Sequence, residues 1–94
     1  MKKRAPERGP ELCTLKNIGR VTERWLNGIG VFEEGDLRRL GAVKAYRMIR
    51  ARESGVSMNL VYALQGALMG VHWNRLPAQI RELLDREVER ADRK

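Results

Sequence analysis

Cysteine is almost missing from this 94-residue chain. Cys13 stands alone, so no internal disulfide can form, and nothing pairs with it at zinc-ligand spacing. That economy suits a reducing compartment and makes the cytoplasm the expected location. Histidine is equally scarce: a catalytic base or metal ligand at His72 would need partners that the sequence does not display at recognisable spacing. No motif marks Cys13 as a nucleophile, and the adjacent Glu33 and Glu34 would face different directions on a helix, which makes a poor acid–base pair. The expectation is a non-enzyme with no cofactor and no bound metal. Aromatic residues make up 5% of the chain, too few for the stacking platforms of single-strand recognition. Trp25 and Trp73 both sit within apolar patterns and read as helix-packing residues. No apolar stretch of signal-peptide length follows the basic start "MKKRAPERGP". The only long uncharged run, residues 54–74, is interrupted by Ser57, Asn59, Gln65, His72 and three glycines, so it reads as a buried helix and not as a membrane span.

The chain does hold 43% hydrophobic and 33% charged residues, ordinary for a folded globular protein and too apolar for a disordered one. Its length allows one domain with one modest core. A flexible basic arm over residues 1–10 and a single domain over 11–94 are expected. The net charge of +7, with a pI near 10.3, makes a polyanion the favoured partner class, either nucleic acid or an acidic protein surface. That charge is uneven. Residues 1–53 carry 4 Lys and 9 Arg against 7 acidic residues, a net +6, whereas residues 76–94 balance 5 against 5.

Along the chain the period is helical throughout, with no alternating strand pattern. Pro10 and "ELCTLK" predict a short first helix up to Asn17, followed by a turn at "NIG". Over Arg20 to Ile29, Val21, Trp25 and Ile29 recur at every fourth position as one inward stripe, and Gly30 supplies the residue that ends the helix. "FEEGDLRRLG" places Glu33, Glu34 and Asp36 early and Arg38 and Arg39 late, complementing the helix dipole, with Leu37 and Leu40 inward and Gly41 as terminator. "AVKAYRMIRARES" puts Ala42, Ala45, Tyr46 and Ile49 on one side and Lys44, Arg47 and Arg50 on another. Ser57 is a plausible N-cap for a central helix from Met58 to about Met69, apolar around nearly its whole circumference. Pro77 opens a last helix in which Ile80, Leu83, Leu84, Val88 and Ala91 follow the helical period.

Two of these helices, at "NIGRVTERW" and "LGAVKAYRM", are entered through a glycine-containing turn. In a helix-hairpin-helix, such a turn brings the backbone close to a phosphate, and the free amides of the next helix point at the anion. The candidate nucleic-acid-binding residues are therefore Lys16, Asn17, Ile18, Gly19, Arg20 and Arg24 at the first turn, and Lys44, Arg47 and Arg50 on the basic stripe. Contacts of this kind would be sequence-tolerant, because phosphate oxygens carry no base information. The plainer alternatives are tight helix packing for the turn and a solvated face for the stripe.

The motifs "LKNIG" at 15–19, "TERWLNGIGV" at 22–31, "DLRRLGAVKAYR" at 36–47, "VSMNLVYALQGAL" at 56–68 and "HWNRLP" at 72–77 run in an order that resembles the C-terminal domain of the TfoX competence regulators. The resemblance implies an all-α, compact bundle of about five to six helices with a helix-hairpin-helix-like (SAM-like) N-terminal half. It also implies a bacterial regulator linked to DNA uptake and transcription. The chain departs from the pattern at Glu33, where a threonine or serine commonly caps the third helix, and at Gln65, where an acidic residue is common. The family's usual N-terminal partner domain is not in this sequence. Two readings stand: a DNA-associated module holding the phosphate backbone, or an adaptor docking an acidic regulatory protein or a separate TfoX N-terminal domain. Monomer and homodimer both remain open.

Overall fold

The computed structural model describes residues 12–93, so the predicted basic arm and Pro10 lie outside the described residues. Five α-helices follow in order: α1 (Arg20–Gly28), α2 (Glu34–Leu40), α3 (Ala42–Arg52), α4 (Asn59–Met69) and α5 (Ala78–Asp92). Two single 3-10 turns complete the chain, at Leu12–Thr14 and Trp73–Arg75. The first helix expected over "ELCTLK" is thus reduced, among the described residues, to one 3-10 turn. So short a segment cannot repay its nucleation, and the amides of Leu15 and Ile18 bond three residues back, to Leu12 and Leu15.

The ends of the remaining helices follow from local chemistry. Gly30 and Gly41 both take a φ of +90°, a region that side-chain-bearing residues rarely adopt, and they close α1 and α2. Asp36 Oδ2 accepts from the amides of Phe32 (3.0 Å) and Glu33 (3.3 Å), the return half of a capping box at the start of α2. Glu33 therefore stands at the N-cap position in a working box. The N-cap of α4 is Met58 and not Ser57, since the helix begins one residue later than the pattern predicts; Ser57 Oγ, one position before the cap, accepts from the Asn59 amide at 3.2 Å.

The core lies between α3 and α4. Ala42, Ala45, Tyr46 and Ile49, the predicted inner face of α3, are all buried, as are Leu60, Val61, Leu64 and Ala67 of α4. α4 packs on α2, α3, α5 and the second 3-10 turn, which places it at the centre as expected. α1 is rotated from its predicted orientation: Leu26 is fully buried and Val21 is 54% exposed, while Trp25 and Ile29 pack only partly against the core. On α5, Leu84 and Val88 are buried but Leu83 faces outward. Among the described residues no helix is long and apolar enough to cross a membrane.

Candidate nucleic-acid interface

Asn17 organises the first turn. Its φ of +71° is the only positive value at a non-glycine among the described residues, and asparagine tolerates that region better than most side chains. The side chain reaches across the molecule: Nδ2 donates to the carbonyls of Ala63 (3.2 Å) and Val71 (3.0 Å), and Oδ1 accepts from the Trp73 amide (3.0 Å). Asn17 thereby ties the first turn to the middle of α4 and to the segment beyond its end. Its amide is fully engaged in structure, and so is Ile18, which is buried and whose N–H bonds Leu15.

What faces solvent begins one residue later. Gly19 is the N-cap of α1, with an extended backbone (φ −97°, ψ −170°) and no side-chain cap on the helix. The amides of Gly19, Arg20 and Val21 have no acceptor among the described residues, as expected of a helix start. Lys16, Arg20 and Arg24 are exposed around them. A Cβ added at Gly19 would meet nothing within 4 Å, so neither backbone angle nor packing demands glycine there.

The stripe on α3 differs. Lys44 is exposed, but the two arginines are engaged with the end of α5. Arg50 Nη2 donates to Asp92 Oδ1 at 2.6 Å, and Arg47 Nε donates to the same oxygen at 3.4 Å while its Nη2 reaches the Ala91 carbonyl. Arg50 also lies over the ring of Tyr46, 5.0 Å from its centroid. The hydrogen bond from Arg50 holds the Asp92 carboxyl below its ordinary value, and the reciprocal bond raises Arg50. The sequence pattern could not reveal Asp92 as this partner, because the bonds join residues 42 and 45 positions apart.

Asn17 of the first turn and Lys44 and Arg47 of the stripe line different grooves. Asn17, Thr22, Trp25, Asn59, Ala63 and Trp73 line one of about 380 Å³, so both tryptophans are half-buried walls and not core. Lys44 and Arg47 line the other, of about 400 Å³, facing Gln65 of α4 and Glu87 of α5. His72 is exposed and caps the second 3-10 turn through Nδ1, a helix-terminal role. Cys13 is half-buried. Among the described residues no three His, Cys, Asp or Glu side chains converge as metal ligands would.

A five-helix domain with an uncapped, cation-flanked helix start defines a small all-α module. The chain belongs to the TfoX C-terminal domain family, whose model matches residues 9–88. It is also similar to a crystal structure of an uncharacterized protein from Listeria monocytogenes in a triclinic form, with 30% identity and a TM-score of 0.81 over 88% of this chain and 94% of that one. A tetragonal form of a Listeria monocytogenes protein of unknown function is 33% identical, with a TM-score of 0.75 over 80% of this chain and 93% of that one. None of the curated proteins matches.

Proposed function

We propose that this domain is a non-enzymatic regulatory module that holds the phosphate backbone of duplex DNA at the start of α1, in the service of competence or transcription control in the cytoplasm. The observation that carries the reading is Gly19. It leaves the first-turn amides of α1 open to solvent, with Lys16, Arg20 and Arg24 exposed beside them. Helix amides and the helix dipole favour an anion, and the missing Cβ lets a phosphate oxygen approach the backbone. Lys44 adds charge from α3. Binding of this type is salt-steep, losing about 0.9 log unit of affinity per log unit of salt for each phosphate neutralised.

A titration of short labelled duplex DNA followed by fluorescence anisotropy, at low and near-physiological salt, tests the reading with Gly19→Val. Because the added side chain enters open space, the variant stays folded by circular dichroism, and its affinity falls. Equal affinity for Gly19→Val and the parent protein removes the hairpin from the interface. The adaptor reading is favoured by one observation, that Arg47 and Arg50 already hold a carboxylate, as they would hold an acidic protein. DNA binding that vanishes at moderate salt would move the conclusion to that partner.

A further inference from the structure

The basic stripe of α3 is covered at its far end by the protein's own acidic helix. Asp92 receives Arg47 and Arg50 on one oxygen, and Arg47 also holds the preceding carbonyl of Ala91. Glu87, one to two turns earlier on α5, lines the cleft that Lys44 and Arg47 form. The end of α5 therefore sets a carboxylate and a carbonyl against two arginines, with Lys44 and Glu87 lining the same cleft.

We propose that the last turn of α5 is a displaceable strap on this basic face, and that a phosphate backbone binds α3 by taking the place of Asp92 on Arg47 and Arg50. The inference rests on the phosphate-holding reading above and adds to it a second contact region with its own internal competitor. Carboxylate and phosphate oxygens offer a guanidinium the same charged acceptor, so one can replace the other without rebuilding the donors. The donors are prepared in advance: Arg50 is laid on Tyr46, which is 3% exposed, and its Nη1 lies 3.3 Å from the Tyr46 hydroxyl. The strap, in contrast, is lightly held. Asp92 and both arginines are exposed by more than a third of their side-chain surface, and ion pairs so wet contribute little against water. The last buried anchor of α5 is Val88, four residues before Asp92, so the final turn can open without uncovering the core.

The test compares duplex binding by the parent protein, Asp92→Asn, and Glu82→Gln, a control that makes the same charge change at an exposed position of α5. Asp92→Asn is expected to bind about two- to fivefold tighter than Glu82→Gln, the range an exposed ion pair corresponds to. On the parent protein, saturation with the duplex is expected to speed hydrogen exchange at the Arg93 amide, which bonds Glu89 and Arg90, while that of Val88 is unchanged. If the chain binds DNA but Asp92→Asn matches Glu82→Gln, or if exchange at Arg93 slows on binding, the strap is refuted and the α1 reading stands. If no variant binds, both are refuted.

Discussion

Replacing Gly66 by alanine sets two physical effects against each other, and the structure decides between them. Gly66 lies in the last turn of α4 and is buried. Helix propensity by itself predicts a gain of about 1 kcal/mol, since alanine is the better helix former. A Cβ built at this position, however, would lie 2.6 Å from Asn17 Nδ2 and 2.7 Å from the Val71 carbonyl oxygen. The carbonyl is backbone and cannot swing away, and Asn17 is pinned by bonds to Ala63, Val71 and Trp73. Overpacking of this kind costs about 1–3 kcal/mol, and each Asn17 bond that breaks removes about 0.5–1.5 kcal/mol more. Against the propensity gain, the net expectation is a loss of about 2–4 kcal/mol. Urea unfolding followed by circular dichroism reads this directly, and the melting temperature should fall by about 4–8 °C for each kcal/mol. Coupling should also appear: in an Asn17→Gly background the same substitution should be milder by at least about 0.5 kcal/mol. A Gly66→Ala protein as stable as its parent would refute the contact between the hairpin and α4 that positions the site.

Leu64→Ala should cost about 2–5 kcal/mol in the same assay, because Leu64 is fully buried at the centre of the core; a near-neutral result would displace α4 from the middle of the fold. Gly19→Val should cost about 0.5–1.5 kcal/mol, because valine is a poorer N-cap than glycine, and a larger loss would mean that the turn needs its glycine for folding. The Asp92 carboxyl, lowered chiefly by the Arg50 hydrogen bond, contributes its stabilisation above the unfolded carboxylate value and loses it as pH falls through the lower folded value. A carboxyl NMR titration should therefore place its midpoint below the ordinary aspartate value, and Arg50→Ala should move it upward. An unchanged midpoint would break the pair.

The inner face of α3 was legible because Ala42, Ala45, Tyr46 and Ile49 are the apolar members of a helix whose other residues are largely charged, so only one orientation buries them. α1 was less readable. Its apolar residues lie at 21, 25 and 26, with Ile29 just beyond its end, and a stripe through Val21 or one through Leu26 both fit the period. In the fold, α1 packs on α3 and the first 3-10 turn, Leu26 is buried and Val21 turns outward. The same ambiguity on α5 leaves adjacent Leu83 and Leu84 on opposite sides of the burial boundary. From sequence, Asn17 counts only as one of the candidate phosphate contacts at the first turn. Its role depends on carbonyls 46 and 54 residues away, which no local pattern contains. The candidate cations could be named from charge and spacing, but which of them the fold itself employs could not.

That last distinction separates the two glycine turns, which look like echoes in sequence. Gly41 has a φ of +90° and joins α2 to α3 as the end of one and the N-cap of the other, so the backbone itself accounts for it. Gly19 has an ordinary φ and open space where a side chain would sit. The cations divide in the same way. Arg47 and Arg50 are engaged by Asp92, so a ligand must compete for them, whereas a phosphate at Lys16, Arg20 and Arg24 would meet side chains exposed to solvent. On the proposed reading, a phosphate at the start of α1 would, among the described residues, displace only water, whereas on α3 it would also displace a carboxylate. Affinity on α1 should be lost by adding bulk at Gly19, and affinity on α3 should be gained by removing charge at Asp92. Opposite signs from two single substitutions are what a common, non-specific charge effect cannot produce, since Gly19→Val leaves net charge unchanged and Glu82→Gln controls for the change at Asp92.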